Sequence, residues 1–475
     1  MLPVEEGAVA GAGAPVRDDE QTARRAGYDA AVVRLRAQYE ALPPGQPVRL
    51  AKRTSNLFRH RTQAAHRLDV SRFSGVLSID PVFRTADVLG MTTYEDLVDA
   101  TLPYGLMPLV VPQLKTITLG GAVTGLGIEA TSYRNGTPHE SVLDMDVLTG
   151  DGRVLTVTPD GEHRDLFFGF ANSYGTLGYA LRLRIELEPV RPYVRVRHIR
   201  VDSADELADR LLRVCRDREL DGAPADFVDA TMFAPHELVL TVGSFVDAAP
   251  YISDYTGMGI YYRSVRQRSA DYLTVRDYLW RWDTDWFWCS RAFGVQVPWV
   301  RRLIPKRYLR SDSYWRVIAL EHRYGAWTRL SALRGLPAEE RVVQDVEVPV
   351  QHAAEFLAWL HADTRIAPVW LCPLQQRDPE RRWDLYELDP DTLYVNIGFW
   401  STVPLRAGES DGTHNRRVEQ EVARLGGRKS LYSTSFYPEP EFWATYNGAA
   451  YDRLKQRYDP AGRLLDLYGK TVRNR

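Results

Sequence analysis

Hydrophobic positions follow two different periods along this chain. Between Tyr28 and Leu42 they recur at every third or fourth residue until the PPG turn at 43–45, which predicts one amphipathic helix. Residues 1–26 mix Ala, Gly, Pro and acids without any period, so we expect a disordered tail there. Farther along, a period of two predicts strands. Residues 181–188, LRLRIELE, alternate strictly, which is typical of a strand with one buried face.

Turn and helix-cap motifs predict further elements within the first 190 residues. Residues 147–157 predict a hairpin, because an Asp-Gly pair separates two alternating runs. The segment 92–96, TTYED, has Thr at a helix cap and acids in the first turn. It predicts a helix that runs to Gly105.

The second half of the chain predicts a sheet with intervening helices. Strands are predicted at 193–201, 225–233, 238–246, 342–350, 393–399 and 431–436, and helices at 204–218, 351–362 and 414–425. The pattern indicates an α+β fold. Pro189 and Pro192 mark a boundary near residue 190. The predicted organisation is a tail at 1–26, a first domain at 27–190, a second domain at 191–426 and a C-terminal segment at 427–475.

Composition narrows the classes of protein. With 475 residues, of which 44% are hydrophobic and 26% charged, we expect a globular protein of more than one domain. A net charge of −2 gives no global attraction to nucleic acid, so no nucleic-acid partner is expected. Three cysteines without a C-x-x-C pair argue against disulfides and a Cys-rich metal site. No metal is expected, and the predicted location is the cytoplasm.

Arginine replaces lysine almost throughout. Only six of the 60 basic residues are Lys, a bias that we attribute to a GC-rich bacterial genome rather than to selection for bidentate contacts.

A glycine-rich segment carries the strongest chemical signal. Residues 112–129 read PQLKTITLGGAVTGLGIE, and four glycines within eight residues let successive N–H groups point at one anion such as a diphosphate. The alternative is a set of tight turns at strand ends. Residues 125–130 also match G-x-G-x-x-A, but the turn at 133–138 leaves no room for the long helix of a Rossmann site. The GKT at 469–471 lacks the first glycine of a phosphate loop.

Two further loops of small and polar residues lie beside predicted strands. They are KRTSNLF at 52–58 and SYGTLGY at 173–179. Together with the glycine-rich segment they suit a ligand that has several separated polar groups.

These motifs together resemble a known family. The ordered set of the 48–58 loop, LGMTTYEDL, PQLKTITLGG, LTGDGR and SYGTLG is similar to the PCMH-type FAD-binding domain of the vanillyl-alcohol-oxidase superfamily. GIEATSYRNG, VVQDVEVPV, PVWLCP, LYVNIGF and EFW resemble its Δ24-sterol reductase branch, whose actinobacterial relatives are associated with methyl-branched fatty acids. The resemblance implies an FAD domain of two α/β subdomains plus a sheet-based substrate (cap) domain.

The resemblance also implies which residues hold FAD. They are Arg53, Thr54, Ser55, Asn56, Gln113, Thr116, Thr118, Gly120, Gly121, Gly125, Gly127, Ile128, Glu129, Ser132, Gly175, Thr176, Gly178 and Tyr179. Many relatives attach the flavin covalently through a His in the first loop, where this chain reads RTSN, and the first cysteine is Cys215. We therefore expect FAD to be bound non-covalently.

Reduction of an isolated C=C bond needs a hydride from reduced flavin and a proton from an acid. The resemblance places Tyr432, in the late chain, near the flavin, and it is the preferred candidate for the acid. Tyr394, Glu129, His139 and Cys372 are the other candidates, each with the alternative of an ordinary core or surface residue.

Six of the 12 Trp residues fall between 280 and 315, interleaved with basic residues. Such a tract is typical of a membrane interface, so peripheral membrane contact through 280–310 is one expectation, on the cytoplasmic face. Core packing of the cap domain is the alternative.

The functional hypothesis is an FAD-dependent reductase of a C=C bond in a lipid, with NADPH as donor. The lipid would be a methylene-branched fatty acyl chain or a sterol side chain. One alternative is an alcohol or sugar oxidase or dehydrogenase of the same superfamily. Another is a lipid-binding protein with a vestigial flavin fold. The sequence leaves the oligomeric state open.

Overall fold

The computed structural model describes residues 18–43, 45–52, 66–314, 316 and 338–473. Its first helix, α1 (Asp18–Glu40), begins ten residues before the predicted start, so residues 18–26 are helical and the expectation of disorder is wrong for them. The additional turns are largely exposed and therefore show no apolar period. Arg24 stabilises them through Glu20, 2.6 Å away and four residues earlier, and through a hydrogen bond to the Val76 carbonyl.

The first domain contains an open, antiparallel six-stranded sheet. Its strand order is β3-β4-β8-β6-β7, with β5 paired to β8, and a separate parallel pair is formed by β1 and β2. The strands are β1 (Leu50–Ala51), β2 (Leu68–Asp69), β3 (Val76–Asp80), β4 (Thr85–Leu89), β5 (Leu106–Pro108), β6 (Val142–Thr149), β7 (Val154–Val157) and β8 (Gly178–Pro189).

The local predictions for this domain are confirmed. The predicted hairpin is β6–β7, with Leu148 opposite Val154 and Gly152 at φ +87° in the turn. Thr93 caps the predicted helix, and the chain stays helical until Gly105. In β8, Leu181 and Leu183 are fully buried, but the intervening Arg182 is buried as well because it forms ion pairs with three aspartates of the neighbouring strands.

The second sheet has eight strands in the order β14-β9-β13-β12-β16-β17-β15-β18. The chain leaves the first sheet after Pro189 and enters this one at Tyr193. Its strands, with the small β10–β11 hairpin, are β9 (Tyr193–Val201), β10 (Glu219–Leu220), β11 (Ala223–Pro224), β12 (Phe227–Ala234), β13 (Glu237–Val246), β14 (Ala270–Thr274), β15 (Glu339–Pro349), β16 (Val369–Leu374), β17 (Tyr394–Pro404) and β18 (Arg428–Lys429).

The helices connect and cover these two sheets, so the fold is α+β, as predicted. They are α2 (Tyr94–Thr101), α3 (Leu119–Thr124), α4 (Ser132–Asn135), α5 (Arg164–Gly169), α6 (Ala204–Asp217), α7 (Tyr261–Gln267), α8 (Val275–Leu279), α9 (Pro298–Leu303), α10 (Val350–Thr364), α11 (Thr413–Arg424), α12 (Glu439–Thr445), α13 (Gly448–Tyr458) and α14 (Leu467–Thr471). Short 3₁₀ turns lie at Leu102–Tyr104, Pro138–Ser141, Cys289–Phe293 and Lys306–Tyr308.

The two faces of the second sheet pack against different cores. Because side chains alternate along a strand, Val369 and Leu371 of β16 join the core under α6, α10 and α11. Trp370 and Cys372 of the same strand join the core that is continuous with the first domain. The second face therefore points toward the glycine-rich segment.

Two expectations about the later chain need correction. Leu431–Phe436 is not a strand, because the chain pairs with β15 only through the two residues of β18 and then turns. The aromatic tract is not a surface stripe, since Trp280, Trp282, Trp286 and Trp288 are all buried in the core. Core packing is thus correct for these four side chains. Peripheral membrane contact through 280–310 stays a prediction, and the exposed large apolar side chains of this range, such as Trp299 and Leu303, lie toward its end.

Candidate active site

A cavity of about 420 Å³ lies where the first domain, the second sheet and the C-terminal segment meet. Its walls come from 48–52, from the glycine-rich segment, from the 174–180 turn, from the second sheet and from the late chain. Because segments that are far apart in the sequence enclose it, this cavity is the best candidate for a ligand site.

The glycine-rich segment forms one wall through a short helix. The Thr118 hydroxyl caps α3 by accepting the N–H of Gly121 at 3.3 Å. Gly120 donates its N–H to the Gly90 carbonyl at 2.9 Å, and a Cβ at position 120 would lie 2.7 Å from that oxygen. Glycine is therefore required here by the close approach of two backbones. The next helix, α4, has four residues, so the Rossmann reading is rejected, as expected.

The SYGTLG turn packs directly on that wall. Tyr174 donates its backbone N–H to the Thr124 carbonyl at 2.8 Å, and Asn172 donates to the Gly125 carbonyl at 3.2 Å. Lys470, from α14, donates to the Tyr174 carbonyl. Two predicted loops and the late chain are thus brought together at one point.

Four basic side chains line the cavity. Arg49, Lys52, Arg67 and Lys470 suit the negative charge of a diphosphate. Gln113 lines the cavity as well, and its Oε1 atom is buried without a protein partner, so it can accept a hydrogen bond from a ring N–H. These features fit FAD.

Glu129 lies at the other end of the glycine-rich segment. Gln113 donates both its backbone N–H (2.8 Å) and its side-chain Nε2 (2.5 Å) to the two carboxylate oxygens. Burial raises the pKa of Glu129 to about 8, although nearby Arg281 and the hydrogen bonds from Gln113 oppose the shift. Near neutral pH its carboxyl group is therefore largely protonated.

A carboxyl–phenol pair faces the same cavity from the second sheet. Tyr432 and Asp345 both line it, and the two side chains are hydrogen bonded to each other. Trp400 donates its Nε1–H to the Tyr432 hydroxyl at 3.0 Å. Burial raises the pKa of Asp345 to about 7 against the hydrogen bonds from Tyr432 and Asn396, and burial together with Asp345 raises the pKa of Tyr432 far above its usual value.

Pairing of β18 with β15 explains how Tyr432 reaches this place. Lys429 lies opposite Val346, and Ser430 donates its N–H to the Asp345 carbonyl at 3.0 Å. Gly398 lies opposite Asp345 on β17, and a Cβ there would lie 2.4 Å from Asp345 Oδ1. A glycine at this position leaves room for the carboxyl group.

Sequence reasoning missed Asp345, although a signal was present. In VVQDVEVPV the apolar Val346 and Val348 alternate with Asp345 and Glu347, so a period of two places both acids on one face of the strand. Val346 and Val348 pack under the helices, and this leaves the acids on the face toward the cavity.

Aromatic rings close the apolar end of the cavity. Trp286, Phe287, Trp370 and Trp400 line it, with the Phe287 and Trp400 ring centroids 4.5 Å apart. Trp286 and Phe287 have φ values of +44° and +59°. Consecutive left-handed aromatic residues cost backbone energy, which packing of Phe287 on Trp282 at 4.9 Å offsets.

The predicted site residues fall into three groups. Those that line the cavity are Gln113, Thr118, Gly120, Gly121, Gly125, Gly127, Ile128, Glu129, Gly175, Tyr179 and Tyr432. Those that lie elsewhere are Thr116, Ser132, Thr176, Gly178, Tyr394, His139 and Cys372. Arg53, Thr54, Ser55 and Asn56 fall outside the described residues. The roles assigned to all of them stay predictions.

Several residues of the second group have clear structural contacts instead. Ser132 accepts the N–H of Glu129 at 2.9 Å, and Thr176 donates to the Ser173 carbonyl at 2.7 Å. The Tyr394 hydroxyl accepts the N–H of Asp389 at 3.2 Å, at the start of β17. Burial lowers the pKa of His139 to about 3 and raises that of the Cys372 thiol.

Comparison with known proteins agrees with this geometry. Residues 30–158 match the family described as FAD binding domain. The chain carries an FAD-binding domain of the vanillyl-alcohol-oxidase superfamily. It is 26% identical to a Delta(24)-sterol reductase of Arabidopsis thaliana, over 86% of this chain and 77% of that protein. It is 25% identical to the Mus musculus Delta(24)-sterol reductase, over 86% and 76%.

A more distant relative belongs to the same comparison. Cytokinin dehydrogenase 1 of Arabidopsis thaliana is 23% identical over 81% of this chain and 67% of that protein. The FAD domain and the similarity to these relatives identify the protein as an FAD-dependent oxidoreductase.

The described residues contain no helix that is both long and apolar enough to span a membrane. Within the same ranges, no group of three or more His, Cys, Asp or Glu side chains is arranged to hold a metal ion.

Proposed function

We propose that this flavoprotein reduces an isolated C=C bond in the hydrocarbon chain of a lipid, with NADPH as the electron donor. The observation that carries the proposal is the Asp345–Tyr432 pair, which faces an aromatic wall inside the cavity that the glycine-rich segment lines. Similarity to Delta(24)-sterol reductases supports the same reaction class.

Saturation of a C=C bond adds a hydride to one carbon and a proton to the other. Bound FAD, once reduced, supplies the hydride. Tyr432 donates the proton, because its raised pKa keeps the phenol protonated at neutral pH. Trp400 holds the hydroxyl oxygen through its Nε1–H.

Asp345 sets the availability of that proton. When its carboxyl is ionised, it accepts the hydrogen of Tyr432. When it is protonated, its own O–H can donate to Tyr432 and leave the phenolic hydrogen for the substrate. Because the pKa of Asp345 is about 7, both states are populated near neutral pH.

The aromatic wall determines the kind of substrate. Trp286, Phe287 and Trp370 line the same cavity as the reactive pair, and their apolar rings suit a hydrocarbon better than a sugar or another polyol. Of the two lipids considered, we favour a methylene-branched acyl chain over a sterol side chain. The scarcity of Lys relative to Arg is typical of GC-rich bacteria, in which sterols are uncommon. A cytoplasmic location remains a prediction.

The proposal is tested by anaerobic spectroscopy of the purified holoprotein. NADPH should bleach the flavin absorption, and a methylene-branched acyl substrate should restore it, whereas the saturated acyl chain should not. Tyr432→Phe should be reduced normally by NADPH but reoxidised by the alkene about 10²–10⁴-fold more slowly. A flavin that ignores NADPH, or one that is reduced by a polyol and forms peroxide in air, would contradict the proposal.

We also propose that FAD is held without a covalent bond. The cavity-lining residues that the structure describes include no His or Cys, the side chains that commonly link flavins. Acid precipitation of the holoprotein should leave the yellow colour in the supernatant. Colour that stays with the precipitate would indicate a covalent link.

A further inference from the structure

An exposed apolar ridge surrounds helix α9. The α9 ridge consists of Met258, Val297, Trp299, Leu303 and Tyr308, all large apolar or aromatic side chains open to solvent. Trp299 and Leu303 are 69% and 75% exposed. They are four residues apart and therefore share one face of the helix. Scattered apolar side chains are ordinary at a surface, but a contiguous set marks a contact site.

The α9 ridge is held rigidly from below. Arg301, on the opposite side of α9, is buried and pairs with Asp285 at 2.6 Å. Its guanidinium also donates to the carbonyls of Gly257 at 2.6 Å and Gly259 at 3.2 Å. These bonds bring Met258 alongside α9, so the exposed side chains belong to one fixed surface.

The surroundings of the α9 ridge are basic. Residues 291–308 contain five basic side chains and no acid. Arg301 is neutralised inside the protein, whereas Arg302, Lys306 and Arg307 are exposed beside the ridge. Asp254 pairs with Lys306 at 2.8 Å, and the Arg307 guanidinium lies over the Tyr308 ring at 4.9 Å. Apolar rings fringed by cations are complementary to an anionic lipid surface.

We propose that the α9 ridge is a docking surface for anionic lipid bilayers. Trp299 and Tyr308 sit at the level of the headgroups, Leu303 and Met258 enter the acyl region, and Arg302 and Arg307 contact the anionic headgroups. The protein is thereby attached peripherally.

The α9 ridge is connected to the wall of the cavity. Asp285, the buried partner of Arg301, immediately precedes Trp286 and Phe287 of the cavity wall. The surface that touches the bilayer is thus joined directly to the cavity wall. In this respect the inference rests on the proposed lipid substrate, but the docking itself does not require that substrate.

Vesicle flotation tests the docking surface without turnover. Holoprotein is mixed with vesicles of saturated phosphatidylcholine alone or with added saturated phosphatidylglycerol, in the absence of NADPH. The wild type should bind the anionic vesicles at least about tenfold better, and high salt should weaken this binding. The double variant Trp299→Ser/Leu303→Ser should lose about tenfold or more of it, and Arg302→Gln/Arg307→Gln should lose the preference for anionic lipid.

The matched control is Phe83→Ser, because Phe83 is 75% exposed on the β3–β4 turn, outside the α9 ridge. It should bind vesicles as the wild type does. All variants should keep their flavin, which shows that they are folded. Undiminished binding of the double variant, or no vesicle binding by the wild type, would overturn the inference. So would a ridge-dependent dimer that does not bind vesicles.

The outcomes separate the two proposals. A wild type that does not bind vesicles, but whose flavin is reduced by NADPH and reoxidised by the alkene, would contradict only the docking surface. Normal docking with no reaction toward a lipid alkene would contradict only the proposed function.

Discussion

At the scale of single residues, Asp345 and Tyr432 form a buried, hydrogen-bonded pair that lines the cavity. The carboxyl loses hydration on burial, which opposes its ionisation and raises its pKa to about 7. The phenol beside it then remains protonated over the whole physiological range. A pair of groups with such separated pKa values is suited to deliver one proton and to be reprotonated afterward.

The pH dependence of alkene reduction should follow the ionisation of Asp345. A protonated carboxyl is favoured below about pH 7, so the rate of flavin reoxidation by the alkene should fall as pH rises through that value. Asp345→Asn should lower this rate about tenfold or more at acid pH and flatten the decline. Stopped-flow absorbance measures this reoxidation rate across the pH range. Asp247→Asn, at an exposed aspartate, is the control. An equal decline in Asp345→Asn would show that another group titrates.

At the scale of elements, close backbone contacts hold the cavity walls together. Gly120 at the start of α3 touches the Gly90 carbonyl, and a Cβ on Gly90 would in turn meet the Ala180 carbonyl of β8 at 2.0 Å. Gly90 therefore lies between the glycine-rich segment and β8, with no space for a side chain on Gly90 or Gly120. Close backbone packing therefore explains the glycines of this segment as well as anion binding does.

Gly120→Ala should destabilise the protein and weaken FAD binding. The new methyl group would press on the Gly90 backbone, which cannot rotate away, so unfolding should become easier by about 1–3 kcal/mol. Gly27→Ala is the matched control, because Gly27 lies in α1 with nothing within 4 Å of its Cβ position and should gain about 0.5–1 kcal/mol. Thermal unfolding measures the stability of both variants, and flavin content measures their FAD binding. An unchanged melting temperature for Gly120→Ala would refute the packing argument.

At the scale of the whole molecule, several carboxyl groups are buried inside the fold. Burial raises the pKa of Glu129 and Glu347 to about 8 and that of Glu140 and Asp345 to about 7. Each binds a proton more tightly in the folded protein than in the unfolded chain. The folded state should therefore be favoured by acid over this range.

Stability of the holoprotein should fall between about pH 5 and pH 9. The contribution of these groups is complete below their unfolded pKa values near 4 and is lost as pH rises through 7–8. Glu347→Gln should make the decline shallower, and Glu355→Gln, at an exposed surface acid, should leave it unchanged. Urea unfolding at constant ionic strength measures this. Stability that rises over the same interval would contradict the prediction.

The sequence alone was sufficient where the signal is local. Alternation placed β9 at Tyr193–Val201, a Thr cap placed α2, and an Asp-Gly turn placed the β6–β7 hairpin, because neighbouring residues carry these preferences. The motifs likewise indicated the FAD domain. Tertiary structure alone decided that Leu431–Phe436 is not a strand, that the tract at Trp280–Trp288 is buried, and that Asp345 meets Tyr432. Each depends on which distant strands pair or on which distant side chains pack together, and local periodicity specifies neither.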